Sequence, residues 1–143
     1  MNWESYFVQG FELVFLGMGS YFDIKNRELP VTFLGIFASL GITCNVLWKY
    51  QSLKSILIGC GIGIIFLMIG KATGEAIGYG DGVGLCILGI FEGWKGLIPV
   101  VFGAFCLSGV YGLWRMIGYK QCLKDTMPFY PFLFIALIGI IVL

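Results

Sequence analysis

The sequence predicts an all-α, polytopic membrane protein of about six transmembrane helices, folded as a single domain over residues 1–143. Three observations carry this expectation. The chain is 59% hydrophobic and 12% charged, about half the roughly 25% charged share of soluble proteins. A soluble fold of this length has too little interior to hide so much apolar surface. Apolar runs long enough to span a bilayer also recur along the chain, separated by short polar clusters that hold most of the charges.

The first span is expected over residues 5–22 and ends at Asp23. Met1-Asn2-Trp3-Glu4 lacks the basic opening of a signal peptide, so this span is expected to be retained. Lys25, Arg27 and Glu28 follow, and Pro30 opens the second span, residues 31–48, as proline commonly does at a first helical turn. Trp48, Lys49 and Tyr50 suit an interfacial anchor. The third span, residues 53–72, carries Gly59-Cys60-Gly61-Ile62-Gly63, a small-xxx-small spacing that favours close helix packing. A glycine-rich connection leads to Gly78-Tyr79-Gly80-Asp81. The fourth apolar run, residues 82–94, has only 13 residues, short for a full crossing. Glu92, Trp94 and Lys95 close it. The fifth span covers residues 96–117. A polar loop with Lys120, Lys124 and Asp125 precedes Pro128-Phe129-Tyr130-Pro131, which opens the last apolar run.

The basic residues set the orientation. With the N-terminus outside, the inner face receives Lys25, Arg27, Lys71, Arg115, Lys120 and Lys124. The outer face receives Lys49, Lys54 and Lys95. Six against three follows the positive-inside rule. This places Asp23, at the end of the first span, and Asp81, at the start of the fourth, at one depth on the cytoplasmic side. They are 58 residues apart in sequence.

The composition narrows the chemistry. There is no histidine, which removes HExxH zinc hydrolysis and both Ser-His and Cys-His dyads. The five cysteines form no CxxC pair, and four lie in apolar runs, where cysteine behaves as a small hydrophobe. No metal and no cofactor are expected. A net charge of +1 points to no nucleic-acid partner. Ser55 follows Lys54, but adjacent residues on a helix do not face one another. Two carboxylates held close share one proton and can hydrolyse a peptide bond without histidine or metal. Each acid also has a plain structural reading. Asp81 could simply cap a helix N-terminus, and Asp23 could pair with Lys25 or Arg27. Glu12 falls near mid-membrane, roughly 16 Å along a helix from Asp23, too far to take part directly. Glu75 could orient the Asp81 loop or pair with Lys71.

Asp23 followed by Leu29-Pro30, then Gly78-Tyr79-Gly80-Asp81, then Pro128-Phe129-Tyr130-Pro131-Phe132, resembles the type IV prepilin peptidase family. These are intramembrane aspartyl proteases of the GxGD class, which includes archaeal preflagellin peptidases and presenilin. The resemblance covers nearly the whole chain. It implies that Asp23 and Asp81 are the catalytic pair, with Gly78, Gly80, Pro30, Pro128, Phe129 and Pro131 supporting them. It also implies leader removal from a prepilin or pseudopilin-like precursor at the cytoplasmic face of the inner membrane. The chain departs from the family pattern at Val83 and Val31, where lysine and asparagine are common. Both bear on substrate choice rather than on the acid pair. It also lacks the amino-terminal extension with paired cysteines, so peptidase activity without N-methylation is expected. A proton- or cation-coupled transporter and a catalytically silent pilus-assembly subunit are the competing readings. Acids at an interface rather than at midplane favour the peptidase.

A structural expectation accompanies the motifs. Gly78 and Gly80 are read as letting the backbone turn tightly and come close to another part of the chain. Pro128 and Pro131, which donate no backbone hydrogen bond, are read as leaving nearby carbonyls free to pair with an extended substrate.

Overall fold

The computed structural model describes residues 3–74, 78–119 and 127–143. Glu75 and the loop carrying Lys120 and Lys124 lie outside these residues. The described residues form helices and no strand: α1 (Trp3–Asn26), α2 (Val31–Trp48), α3 (Leu53–Ala72), α4 (Tyr79–Tyr119) and α5 (Tyr130–Val142). Three runs are long and apolar enough to cross a membrane: Val31–Trp48, Leu53–Ala72 and Tyr79–Gly118. Large apolar side chains such as Val46, Leu57 and Phe102 are exposed, as they are on a surface that faces lipid.

α4 is two helices joined at Gly93, whose φ of 65° and ψ of −171° lie outside the helical region. Only glycine adopts that conformation freely. A side chain there would collide with Ser55 Oγ and meet Gln51 Oε1 at 2.8 Å. The chain reverses at this point. Before the break, Gly82 packs on Leu67, Gly63 on Cys86, and Gly89 on Gly59, so residues 79–92 run antiparallel to α3. After it, Phe105 stacks on Phe66 at 5.6 Å, so residues 94–119 run back alongside α3. The short fourth run expected over residues 82–94 is therefore a helix that ends at Gly93. Among the described residues there are six helical segments.

The small-residue spacing on α3 makes its closest contact with α4. A Cβ on Gly89 would lie 2.6 Å from the Gly59 carbonyl carbon, and one on Gly59 would lie 2.9 Å from Gly89 Cα. Cys60 and Cys86 meet in the same seam, each Sγ 3.6 Å from the other's carbonyl oxygen. Such seams draw their energy from van der Waals contact rather than from a hydrophobic effect between helices. Gly89→Val should therefore destabilise the protein by at least about 1–3 kcal/mol, read as a lower unfolding midpoint in detergent. Gly61→Val, at a position with open space beside it, should leave the midpoint nearly unchanged.

The two ends of the bundle differ. At one end Asn45 holds the α2–α3 corner to α4. Its Nδ2 donates to the Ile90 carbonyl at 2.8 Å, and its Oδ1 accepts from the Gln51 N–H at 3.0 Å. Trp3, Phe7 and Trp48 cluster at that end, with ring centroids 5.8–6.4 Å apart, in keeping with an interfacial aromatic belt. In the middle, Phe15 packs against Phe33 and Phe37 at 5.5 and 5.0 Å. The other end carries both aspartates.

The end of α1 differs from the sequence expectation, and the start of α5 falls within the motif expected to open it. α1 runs on to Asn26, so Asp23 sits inside the last helical turn rather than after it. Arg27 closes the helix with a φ of 55°, and its N–H donates to the Asp23 carbonyl at 3.1 Å. α5 begins at Tyr130, with Pro131 in its first turn and Pro128 before it.

Candidate active site

Asp23 and Asp81 reach the same cavity from different helices. Asp81 lies in the first turn of α4, and its N–H donates to the Gly78 carbonyl at 3.0 Å. The two carboxyls are within electrostatic range of one another. Lys25 does not pair with Asp23. It donates to Tyr21 Oη at 3.1 Å and lies over that ring. Arg27 acts on Asp23 at longer range.

The partner of Asp23 is the N-terminus of α5. The Tyr130 N–H donates to Asp23 Oδ2 at 3.1 Å, and the Phe129 N–H is directed at the same carboxyl. The first N–H groups of a helix have no partner within it and favour an anion. These two N–H groups favour the ionised form of Asp23. The motif Pro128-Phe129-Tyr130-Pro131 thus aims donors at an aspartate. The expectation of free carbonyls is corrected at Phe129, whose carbonyl accepts from the N–H groups of Phe132 and Leu133.

Tyr130 joins the two motifs. Its side chain is fully buried, and its hydroxyl donates to the Gly80 carbonyl at 3.0 Å. One residue therefore holds the Asp23 carboxyl through its backbone and the Gly78-Tyr79-Gly80-Asp81 turn through its side chain. Gly19 on α1 and Gly84 on α4 form the slot for its ring. A Cβ on Gly19 would meet the ring at 2.6 Å, and one on Gly84 would collide with the hydroxyl. Gly80 has a similar reason to be glycine, since a Cβ there would lie 2.9 Å from Leu29 Cδ1. A Cβ on Gly78 would lie 3.2 Å from Asp81 Oδ2, so both glycines serve close approach. Leu29 in turn brings the Pro30 loop, which N-caps α2, against the aspartates.

The cavity has a volume of about 820 Å³. Its polar end holds Asp23, Asp81 and Pro128, and its apolar end runs between Leu34 and Ala38 of α2 and Ile87 and Ile90 of α4. Val83, at the position of the family's common lysine, lines it as well.

A model of the type IV leader peptidase family matches residues 11–113, which include both aspartates and the cavity-lining parts of α2 and α4. This chain belongs to that family. Among its relatives, a prepilin leader peptidase/N-methyltransferase of Pectobacterium carotovorum subsp. carotovorum is 33% identical over 132 residues, covering 87% of this chain and 47% of that protein. One from Xanthomonas campestris pv. campestris is 28% identical over 138 residues, 90% of this chain and 48% of the relative. One from Burkholderia pseudomallei is 30% identical over 120 residues, 80% and 39% respectively. The chain spans less than half the length of each of these relatives. No solved structure gives a significant match. Membership of this family, together with the apolar helices, makes the chain an integral membrane protein.

Proposed function

We propose that this chain is an intramembrane aspartic endopeptidase that removes the leader of prepilin-like precursors at the cytoplasmic face of the inner membrane. The observation that carries the reading is the meeting of Asp23 and Asp81 in one cavity, with Tyr130 bonded to the Asp23 carboxyl and to the Gly80 carbonyl. Two carboxyls so placed hold one proton between them. The N–H donors on Asp23 favour its ionised form, so Asp23 is the base and Asp81 carries the proton. Asp23 takes a proton from water as the water attacks the scissile carbonyl, and Asp81 donates to the carbonyl oxygen. The tetrahedral diol then collapses: one of its hydroxyls returns a proton to Asp81 while the proton on Asp23 passes to the departing amine. Cleavage should show a bell-shaped pH profile, falling when both acids are protonated and when both are ionised. The two carboxyls carry every proton transfer in this mechanism, which calls on no metal and no cofactor.

The six helical segments are read as six crossings, with the N-terminus outside and the aspartates inside, as the basic residues indicate. Labelling a cysteine placed at Asn26 with an impermeant reagent should fail in intact cells and succeed after permeabilisation. Labelling from outside would put the site on the wrong face.

The apolar end of the cavity, between α2 and α4, suits the hydrophobic helix that follows the cut. The polar end suits an extended leader. The close approach of backbone at Gly80 and Leu29 favours a small residue before the scissile bond. A precursor with a short basic leader ending in glycine should therefore be cleaved at that glycine. Replacing the glycine with leucine should slow cleavage at that bond by about 100-fold or more, since small misplacements of the reacting atoms have costs of that order. Equal rates for the two precursors, measured by mass, would refute this account of the substrate.

A further inference from the structure

Glu12 is fully buried, and neither of its carboxyl oxygens has a hydrogen-bond donor among the described residues. The Glu92 carboxyl of α4 faces it within side-chain hydrogen-bonding reach. Tyr50, from the link between α2 and α3, lies within electrostatic range of both acids. α2 and α5 carry no charged side chain along their helical lengths, and their titratable residues are Cys44 and, at the aspartate end, Tyr130. Lys95, near Glu92 in sequence, sits over the Trp94 ring at 5.8 Å.

The spacing is as informative as the burial. Glu12 precedes Asp23 by 11 residues on α1, and Glu92 follows Asp81 by 11 residues on the first half of α4. Eleven residues make about three helical turns and roughly 16 Å. Each glutamate therefore lies on the same helix face as its aspartate, one membrane half away. The two antiparallel helices carry acids at two matched levels. Between the levels the interface is dry: Phe15, Leu16, Leu85 and Leu88 are 0–1% exposed. The two levels are thus joined by packed apolar helix faces.

Two ionised carboxylates facing each other in that interior offer acceptors without a donor and repel. One proton between them turns one acid into a donor and makes a strong O–H···O⁻ bond. We infer that Glu12 and Glu92 form a second, non-catalytic acid pair that binds a single proton, and that this bond fastens α1 to α4 and so sets Asp23 against Asp81. The positioning part rests on the peptidase reading above. The proton-binding part does not.

The first test is infrared spectroscopy of the full chain in lipid nanodiscs, with carbon-13 at the glutamate side-chain carboxyls so that aspartate bands are separated. At neutral pH one protonated glutamate band is expected, lost in both Glu12→Gln and Glu92→Gln. No such band in the parent, or a band that survives both substitutions, overturns the proton. Stability that instead rises with sodium or potassium, with the band absent, assigns the pair to a cation and overturns it as well. In the parent, the folded state holds a proton that the unfolded state has released, so the unfolding midpoint should fall as pH rises above the unfolded glutamate pKa of about 4.3. In Glu12→Gln the side-chain amide takes the place of the protonated carboxyl as donor to Glu92, and this fall should be lost. An unchanged fall in that variant contradicts the assignment. The positioning part is read from cleavage. Glu12→Gln should stay near the parent, whereas Glu12→Ala should lose about 10- to 100-fold in kcat with little change in KM. Parental kcat in folded Glu12→Ala overturns the positioning while leaving the infrared result to stand or fall separately. If neither variant nor parent cleaves any precursor, it is the peptidase reading that fails, and the infrared and stability results still decide the pair.

Discussion

Asp23→Asn and Asp81→Asn are each expected to cut the rate of leader removal by at least about 10²–10⁴-fold, in protein that inserts and unfolds like the parent. Asparagine keeps the shape of aspartate and its accepting carbonyl. At position 23 it still accepts the N–H of Tyr130, so α5 should stay docked on α1. What it loses is the capacity to take a proton from water. At position 81 it loses the proton that polarises the carbonyl. Because the two acids act as one unit, the double variant should be no worse than either single one. Rates are to be followed by mass on a co-expressed or purified precursor. Undiminished cleavage by either single variant would end the catalytic assignment. Additive losses would separate the acids into independent roles.

Tyr130→Ala is expected to cost nearly as much activity and far more stability. The ring fills the slot between Gly19 and Gly84, makes an edge contact with Phe15 at 6.1 Å, and is fully buried. Removing a buried ring of this size costs about 3–5 kcal/mol. The Gly80 carbonyl loses its donor at the same time, and the N-terminus of α5 is freed to shift away from Asp23. Tyr130→Phe separates these effects. It keeps the ring and the backbone N–H on Asp23 and removes only the bond to Gly80, so about a tenfold loss of rate is expected, the equivalent of a single net hydrogen bond of about 1 kcal/mol or slightly more. Gly84→Ala supplies a complementary approach, since its methyl would displace the Tyr130 hydroxyl without altering the residue itself. The measurements are the unfolding midpoint and the cleavage rate. A Tyr130→Phe variant as unstable as Tyr130→Ala would show that the hydroxyl, not the ring, holds the site together.

Much of this arrangement was legible in the sequence. The polar clusters between apolar runs marked the helices. The order of crossings put Asp23 and Asp81 on one side before any contact was known. The small residues at Gly59 and Gly63 announced a close helix contact, though not that α4 makes it. Glu92, Trp94 and Lys95 closed the short fourth run close to Gly93, where the helix breaks. The missed parts depend on contacts between distant elements. Tyr130 stood in a proline-bracketed motif, but in a chain this rich in aromatics its ring was indistinguishable from core filling, and its backbone donor to Asp23 leaves no mark in the sequence. Gly19 and Gly84 read as ordinary membrane glycines, because what they accommodate comes from α5. Gly78 and Gly80 were read as allowing a tight turn and a close approach; which groups make that approach, Leu29 and Asp81, was not legible. Glu12 was visible as a lone buried acid. Its partner was obscured because Glu92 sits beside Trp94 and Lys95, a combination typical of a membrane surface. The equal spacing of the glutamates from the two aspartates was present in the sequence and was the available signal.

The most direct measurement is the intact mass of a purified pilin-like precursor incubated in lipid nanodiscs with this chain alone, in the presence of a metal chelator. The account predicts that the precursor loses its leader at one bond and that the Asp23→Asn/Asp81→Asn double variant leaves its mass unchanged. A precursor left whole by the parent but cleaved once the chelator is omitted, or one cleaved equally by the double variant, would contradict the aspartate pair as the centre of the chemistry.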